Sequence, residues 1–398
     1  MRLLIVNALY PPHRIGGAET SVALLAEALA RDGVEVHVAT LDAGSAEQVV
    51  VERGVIVHRL PIDQYYWPWG GSSPGSGRRA LWHWRDRWNR EAAARFGRLL
   101  DTVRPDLVHS HVLTGFGASI WPEVKRRGLS LAHSLRDYAL ICPRSALFRN
   151  GQPCVSRCVD CQLVTRPTRA ASALVDAVAG NSDFILAAHR DAGRFKAVGG
   201  RSLFNVVPRP KRVSARPTEG PLTFGFMGRI EAEKGIETLL DALPHIGRDA
   251  WRLRIAGVGR DAYAERLRRQ SDDPRIDWLG WADAGDFVRS IDVLMIPSLW
   301  PEPLPRTLVE GVAHGRSIIA AASGGIPEVA TIGRCIALFR PGDARALAGV
   351  MRGAIDHSAP WRTGGVASAA ALDPFSARAV VAAPHAFYDA ARRAAAGA

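Results

Sequence analysis

The 398-residue sequence has no run of eighteen apolar residues, so no transmembrane helix is expected. Cysteine is scarce as well, because five residues in a chain of this length do not indicate a disulfide framework. The apolar start at residues 3–6 is too short for a signal peptide, since Asn7 and two prolines soon interrupt it. It predicts a first β-strand instead, and we expect a cytoplasmic protein.

Acidic residues are too few to balance the basic ones. Lys and Arg number 51 and Asp and Glu 39, which gives a net charge of +12. Such a charge suits nucleic acid, phosphorylated small molecules or an anionic membrane face. The basic residues are dispersed along the chain and form no recognisable nucleic-acid-binding module. We therefore expect no nucleic-acid partner.

What the sequence does contain is a repeated alternation of strand and helix patterns. Residues 3–7 predict a strand, a loop ending in Gly16 and Gly17 follows, and residues 18–31 have the apolar spacing of a helix. A second such unit starts at residue 222, where a strand, a glycine-containing loop and a helix again follow one another. Units of this kind open a doubly wound parallel sheet.

The length of the chain predicts two domains, because a single hydrophobic core rarely exceeds about 250–300 residues. Four prolines in a short stretch predict an extended linker at residues 208–221. We therefore predict an α/β protein with two Rossmann-like, doubly wound domains. The first covers residues 1–207, the second covers residues 222–375, and a terminal helix at 376–398 packs back on the first domain.

Two basic residues of the second half flank a loop between a predicted strand and the next helix. Arg229 follows the strand, and Lys234 stands just before the helix. Backbone N–H groups at the start of a helix attract phosphate, and two cations can bracket a pyrophosphate. The alternative is an ordinary pair of surface cations on a turn.

Two carboxylates, Glu302 and Glu310, lie eight positions apart. Glu310 falls on a predicted helix at residues 305–314, where it could accept two hydrogen bonds from a ribose diol. Glu302 precedes that helix in a loop. The alternative is two unrelated surface acids, because this spacing alone is common. The strand end at residues 297–298 and the turn at residues 324–328 favour the functional interpretation.

Further motifs accompany these residues in a fixed order. In the second half they are Gly228-Arg229, Lys234-Gly235, Ala256-Gly257-Val258-Gly259, Leu279-Gly280-Trp281, Asp292, Pro297-Ser298, Glu302, Glu310, His314-Gly315 and Gly324-Gly325-Ile326-Pro327-Glu328. In the first half they are Tyr10-Pro11-Pro12, Gly16-Gly17-Ala18-Glu19 and Pro105-Asp106-Leu107-Val108-His109-Ser110-His111. This ordered set resembles glycosyltransferase family 4, a group of retaining enzymes with the two-domain GT-B fold, over almost the whole chain.

The resemblance implies a role for each matched residue. Arg229 and Lys234 would hold the diphosphate of a nucleotide-sugar donor, Glu310 would bind the ribose, and Glu302 would bind hydroxyl groups of the donor sugar. The two cations would replace a divalent metal in stabilising the leaving group, so no cofactor is expected for catalysis. Transfer would proceed on the front face with retention, and the leaving phosphate would help to deprotonate the acceptor hydroxyl.

The resemblance also implies an arrangement in which the two domains face each other across a cleft. Gly16 and Gly17 would let the backbone of the first domain approach the diphosphate closely, which a side chain would block. The donor would be a UDP- or GDP-sugar, and the acceptor a glycan or a lipid-linked molecule.

The sequence departs from the family pattern at two substrate positions. Family members place Phe-Gly shortly after the first glutamate, but this chain has Leu304-Pro305, and proline lacks an N–H group. Members also often carry His-Asp where this chain has Arg136-Asp137. We assign these positions, together with Arg306, to substrate binding. A weakly active or degenerate transferase and a nucleotide-sugar epimerase on the same frame are the alternatives.

Four of the five cysteines, Cys142, Cys154, Cys158 and Cys161, cluster in the first half. Four thiolates suit tetrahedral zinc, and the short gaps between the last three fit a zinc knuckle, although the first gap is irregular. The hypothesis is a structural zinc site. Free thiols or a labile disulfide are the alternatives, and a catalytic metal is not expected.

Tryptophans are concentrated in the same half, beside seven arginines and three acids within residues 61–100. One helical stripe is predicted to face the core, and it comprises Leu81, Trp84, Trp88, Ala92, Phe96 and Leu99. That assignment leaves Trp67, Trp69 and Trp82, with the arginines, to contact a lipid surface. Peripheral binding at the inner face of a membrane is therefore a hypothesis.

Overall fold

The computed structural model describes residues 1–70, 75–210, 219–247, 250–259, 261–364 and 367–396. The chain divides into two compact units. The first comprises Met1–Leu147, Val155–Val206 and the C-terminal helix, and the second comprises Phe148–Cys154 and Val207–Ser376. Most of the linker predicted at residues 208–221 lies outside the described residues.

The first unit contains an eight-stranded sheet with one antiparallel edge strand. Its strands are β1 (Arg2–Val6), β2 (Glu35–Asp42), β3 (Gln48–Glu52), β4 (Val55–Pro61), β5 (Leu107–Ser110), β6 (Ser130–Leu135), β9 (Ala177–Gly180) and β10 (Gly200–Ser202); the intervening β7 (Phe148–Arg149) and β8 (Gln152–Pro153) form a separate hairpin. The strand order is β10-β9-β6-β5-β1-β2-β4-β3, and only β3 pairs in the antiparallel sense. The central strand β1 is apolar and buried from Leu3 to Val6 because both faces of a parallel sheet are covered.

Helices cover this sheet. They are α1 (Gly17–Arg31), α2 (Ser76–Arg87), α3 (Arg90–Val103), α4 (Ile120–Arg126), α5 (Val159–Val164), α6 (Arg166–Ala171) and α7 (Asp183–Asp191). The C-terminal helix α15 (Ala377–Ala396) shares the core of the first unit through Val380, Phe387, Tyr388 and Ala391.

The second unit contains a six-stranded, fully parallel sheet. Its strands are β11 (Leu222–Met227), β12 (Trp251–Ala256), β13 (Ile276–Gly280), β14 (Val293–Ile296), β15 (Ser317–Ala321) and β16 (Ile336–Phe339). Its helices are α8 (Ile236–Ala242), α9 (Asp261–Gln270), α10 (Ala284–Arg289), α11 (Arg306–Ala313), α12 (Ala344–Asp356), α13 (Ser358–Thr363) and α14 (Ala369–Leu372). The strand order is β13-β12-β11-β14-β15-β16.

This strand order creates a topological switch point between β11 and β14. From β11 the chain moves outward through β12 and β13, and from β14 it moves outward in the other direction through β15 and β16. The loops that leave the carboxyl ends of β11 and β14 therefore diverge and leave a crevice, which is where doubly wound sheets bind ligands. The predicted α/β class with two doubly wound units is confirmed.

One prediction about the first unit is wrong. Residues 81–99 are not one helix, because α2 ends at Arg87 and Asn89 caps a new helix by accepting a hydrogen bond from the Ala92 N–H group at 3.1 Å. The break resets the helical face, so Trp82 is 2% exposed while Trp84, assigned to the core, is 71% exposed.

Candidate functional site

The loop after β11 packs against the end of β14. The pairing of β11 with β12 continues beyond the strand ends, because the N–H groups of Gly228 and Ile230 donate to the carbonyl oxygens of Ala256 (3.0 Å) and Val258 (2.9 Å). A short 3₁₀ turn at Ala232–Lys234 follows, and then Gly235, with φ of 70°, leads into α8. A Cβ atom at Gly235 would overlap the carbonyl oxygen of Pro297, so this close approach requires glycine.

Within the switch-point crevice, Lys234 and Glu302 form a buried ion pair. The Lys234 Nζ atom donates to Glu302 Oε1 at 2.7 Å, and the Ser298 hydroxyl donates to the same oxygen at 2.7 Å. Glu302 is only 4% exposed. The Lys234 ammonium also lies 4.7 Å from the ring centroid of Trp300, a cation–π distance.

The charge state of Glu302 follows from these contacts. Burial raises the pKa of Glu302, but the attraction of Lys234 and the hydrogen bonds from Lys234 and Ser298 hold the pKa below its ordinary value. The carboxylate is therefore ionised at neutral pH. It can accept hydrogen bonds there, but it cannot act as a proton donor.

The backbone of Glu302 is fixed by the glycine turn that the sequence analysis singled out. The Gly325 N–H group donates to the Glu302 carbonyl oxygen at 2.8 Å. Gly324 has φ of 60°, and a Cβ atom there would overlap the backbone of Glu302. The turn at residues 324–328 therefore supports the loop that carries the carboxylate.

Arg229 lies at the start of the same loop, between two acids of that loop. Its guanidinium is 3.3 Å from the carboxylate of Glu231 and 3.3 Å from that of Glu233. The Glu233 carbonyl oxygen in turn accepts from the backbone N–H groups of Leu299 (2.9 Å) and Trp300 (3.2 Å). The loops after β11 and β14 are therefore joined through both backbone and side chains.

Glu310 occupies the second turn of α11 and is also paired. Arg306, in the first turn, donates to Glu310 Oε1 at 2.6 Å, and both side chains are largely buried. Leu304 is 6% exposed, and Pro305 caps the helix without a side-chain hydrogen bond. The structure thus brings Arg229, Lys234, Glu302, Arg306 and Glu310 onto two adjoining loops and the helix that follows the second loop.

In the first unit, Gly16 and Gly17 begin α1, directly after the loop that follows the central strand β1. The Gly16 N–H group donates to Glu19 Oε2 at 3.0 Å. A Cβ atom on Gly16 would meet only Glu19, at 3.8 Å, and its φ of −150° suits any residue. The described residues therefore do not themselves require glycine at position 16, and its role toward a ligand stays a prediction.

Arg136 and Asp137 follow β6 in the first unit. Arg136 donates from Nε to His111 Nδ1 at 2.9 Å and also bonds the side chain of Asn205. Burial and the neighbouring His109 and Arg136 hold the pKa of His111 well below its ordinary value, so its ring is neutral and can accept this bond. Asp137 accepts from the Ala139 N–H group at 2.8 Å, and burial raises the pKa of Asp137.

The sequence analysis did not anticipate these partners. His111 anchors the residue that replaces the family histidine, and Ser298 supplies the second hydrogen bond to Glu302. Ser298 belongs to a quoted motif, and its position at the end of β14 was the available signal. His111 is separated from Arg136 by 25 positions, and only the pairing of β5 with β6 brings them together.

The thiol cluster lies partly in the first unit. Cys142 and Cys161 are buried, and Cys158 donates to Cys161 across 3.4 Å. None of the five cysteines, all of which are described, forms a disulfide. In the described ranges no three His, Cys, Asp or Glu side chains are already arranged around a metal position. The same ranges contain no helix that is both long and apolar enough to cross a membrane.

Both units of the chain are similar to known proteins in sequence and in fold. Residues 16–200 match the family model of the glycosyl transferase 4-like domain, and residues 221–357 match that of glycosyl transferases group 1. A sucrose-phosphate synthase of Thermosynechococcus elongatus has a TM-score of 0.76 at 18% identity, with 98% of each chain covered. The Anabaena HepE protein, solved in complex with UDP, has a TM-score of 0.71 at 17% identity, with 98% of this chain and all of that chain covered.

Two doubly wound units of this kind form the GT-B architecture, and the family matches identify the chain as a glycosyltransferase. The chain belongs to the family-4 type of glycosyltransferases and is a transferase enzyme. A protein of 42.6 kDa from the cps region of Klebsiella pneumoniae, without an assigned function, is 29% identical over 83% of this chain and 88% of its own length. A glycosyltransferase of Methanocaldococcus jannaschii, likewise uncharacterized, is 25% identical over 83% of this chain and 82% of its own.

Proposed function

We propose that this glycosyltransferase moves a sugar from a nucleoside-diphosphate donor to a glycan or lipid-linked acceptor, with retention and without a metal ion in the chemical step. The observation that carries this proposal is the Lys234–Glu302 ion pair in the switch-point crevice. An ammonium group has three N–H donors, so Lys234 can hold Glu302 and still donate to a phosphate. Arg229, at the other end of the same loop, supplies a second cation.

The two cations suit the charge that develops during transfer. When the bond between the anomeric carbon and the diphosphate breaks, negative charge accumulates on the leaving oxygen, and preorganised donors stabilise it. The acceptor oxygen bonds to the anomeric carbon, and its proton passes to the leaving phosphate. The ionised Glu302 is not a proton donor, so its role is to accept hydrogen bonds from hydroxyl groups of the donor sugar.

The donor is best supported as a UDP- or GDP-sugar. HepE has been solved with UDP and with UDP-glucose, and a trehalose-6-phosphate synthase from E. coli with UDP-2-fluoro glucose. Glu310, with its partner Arg306, is the residue that would accept from the ribose diol. Pro305 has no N–H group to offer the sugar, which reshapes the sugar pocket relative to family members.

The test is a panel of UDP-, GDP- and ADP-sugars, measured first by thermal shift. A donor at 100 times its dissociation constant should stabilise the protein by about 2.7 kcal/mol, so one base should stand out. Transfer of that sugar should continue in excess chelator and give a product with the anomeric configuration of the donor. An inverted product, a chelator-sensitive chemical step or epimerisation of free donor would each overturn the proposal.

We also propose a peripheral membrane contact, at residues other than those predicted. Leu81 and Trp84 on α2 and Trp88, directly after its end, are 45%, 71% and 38% exposed. Arg78 and Arg79 are exposed on the same helix, whose single acid is buried. Apolar side chains beside cations match the chemistry of an anionic bilayer surface.

Trp84→Ala should weaken sedimentation of the protein with vesicles that contain anionic phospholipid, because its indole would insert among the headgroups. The fold should be unaffected, since the side chain is exposed. The matched control is Trp281→Ala in the second unit, where the indole is 77% exposed. Equal binding by wild type and both variants, or equal binding to neutral and anionic vesicles, would contradict the contact.

A further inference from the structure

Three thiols of the first unit lie close together after β6. Cys142 and Cys161 are 1% and 2% exposed, and the Cys158 and Cys161 sulfur atoms are 3.4 Å apart. Cys161 also forms a thiol hydrogen bond with Cys142. Cys161 therefore contacts two other sulfur atoms, in a place that the proposed transfer reaction does not use.

The spacing between the sulfur atoms distinguishes two kinds of cross-link. A disulfide requires about 2.05 Å between sulfurs. Tetrahedral zinc with bonds of about 2.3 Å places each pair of thiolates about 3.8 Å apart. The observed 3.4 Å differs from the zinc spacing by about 0.4 Å, within reach of a small side-chain rotation, and from the disulfide spacing by far more.

The chain between these thiols lacks a core of its own. Every residue from 143 to 160 is described, and none of them is buried. Before α5 begins at Val159, the segment contains only the two-residue strands β7 and β8, and Val155 is fully exposed. Segments that bury so little apolar surface are ordinarily held by a cross-link or a metal ion.

The backbone of this segment also adopts conformations that need support. Ser145, Leu147 and Asn150 have φ of 58°, 49° and 52°, in the left-handed region that non-glycine residues rarely occupy. Such conformations persist only where the surroundings hold them.

Arg157 is a cation near the thiols. The guanidinium of Arg157 donates to the carbonyl oxygens of Ile141 (3.0 Å) and Cys161 (3.2 Å) and to the hydroxyl of Thr165 (2.8 Å). Its hydrogen bonds therefore fix the backbone around the thiols.

We propose that Cys142, Cys158 and Cys161 bind one structural zinc ion through their thiolates. Each thiol releases its proton to solvent when the metal binds. Cys158 precedes Cys161 by three positions, a spacing that occurs between zinc ligands.

The ion would secure the loop that carries Arg136 and Asp137. The Cys142 N–H group donates to the Tyr138 carbonyl oxygen at 2.8 Å, and the Tyr138 N–H group donates to Ser145 at 3.3 Å. Fixing Cys142 thus fixes the turn that immediately follows the two substrate residues. This proposal does not depend on the identity of the donor or acceptor.

Metal analysis of the full-length protein, purified under reducing conditions without added metal, is the first test. We expect about one zinc per chain and a lower melting temperature after treatment with a strong chelator. Refolding with Co²⁺ should give the charge-transfer and d–d absorption of tetrahedral thiolate ligation. Limited proteolysis between residues 143 and 160 should accelerate after chelation, which reports on the segment itself.

Cys161→Ser should lose the metal, while Cys335→Ser, a cysteine outside the cluster, should keep it. If Cys161→Ser fails to fold, the metal content and cobalt spectrum of the wild-type chain still decide the question. Wild-type protein that binds neither zinc nor cobalt, or whose melting temperature is unchanged by chelator, overturns the proposal. A Cys158–Cys161 disulfide found by mass spectrometry in protein purified without reductant, with no metal bound, would replace it by the redox alternative.

Discussion

Lys234→Met should lower kcat/KM for sugar transfer by roughly 10–150-fold and also destabilise the second unit. The kinetic loss corresponds to a charge-assisted hydrogen bond of about 1.5–3 kcal/mol to the leaving diphosphate. The stability loss arises because Glu302, 4% exposed, would be left as a buried carboxylate without its cation. Breaking one side of a buried pair typically costs about 3–5 kcal/mol in the free energy of unfolding.

The double variant Lys234→Met with Glu302→Gln separates the two effects. Removing both charges leaves no unpaired buried ion, so most of the stability should return. Transfer should remain slow, because the cation that stabilises the leaving group and the carboxylate that binds the sugar hydroxyls are both absent. If activity returns together with stability, Lys234 is a structural residue and its assignment to the diphosphate is wrong.

Glu302→Gln and Glu310→Gln should affect different parts of the donor. Glu302→Gln should lower kcat/KM by roughly 30–150-fold, or about 2–3 kcal/mol, because a charged acceptor for the sugar hydroxyls is lost. Affinity for the bare nucleoside diphosphate should be unchanged or higher, since Lys234 would no longer be paired with a carboxylate. Glu310→Gln should weaken both the sugar nucleotide and the bare diphosphate, because the ribose would lose its acceptor.

Titration calorimetry with the nucleoside diphosphate, beside transfer kinetics, measures this division. Glu265→Gln is the matched control, because the Glu265 side chain is 60% exposed on α9 and pairs there with Arg269, four positions on. Equal loss of diphosphate affinity in Glu302→Gln and Glu310→Gln would contradict the separate roles. Unchanged turnover in both would remove the switch-point loops from the active site.

Much of the fold follows from local sequence patterns. The strand predicted to start at residue 222 is β11, and the strand end predicted at residues 297–298 directly follows β14, because glycine or proline bounds these short apolar runs. The alternation of such strands with amphipathic helices then determines the doubly wound sheet. The strand ends in turn placed Arg229, Lys234 and Glu302 at one edge of the sheet.

Side-chain pairing could not be predicted in the same way. The sequence analysis assigned Lys234 and Glu302 to different parts of the donor, yet they contact each other directly, and so do Arg306 and Glu310. The Lys234–Glu302 contact depends on how two loops approach, which Gly235 permits through its backbone conformation. Arg306 and Glu310 pair one turn apart on α11, and that spacing was the available signal.

The prediction of one core-facing helical stripe in the first unit was wrong for another reason. The helical spacing of apolar residues can continue across a short break between two helices, so the spacing alone does not reveal that break. The cap residue Asn89 was the missed signal, since asparagine is favoured at the start of a helix. Recognising that cap would have moved Trp84 from the core to the surface.

The central claim is that Arg229 and Lys234 hold a donor diphosphate at the switch point of the second unit. Its most direct test compares binding of the nucleoside diphosphate and the corresponding monophosphate to wild type, to Arg229→Ala, and to the double variant Lys234→Met with Glu302→Gln. Wild type should prefer the diphosphate by roughly tenfold or more, because each charge-assisted hydrogen bond contributes about 1.5–3 kcal/mol. Both variants should lose much of that preference. A wild-type protein that binds the two nucleotides equally, or variants that keep the full preference, would contradict the account.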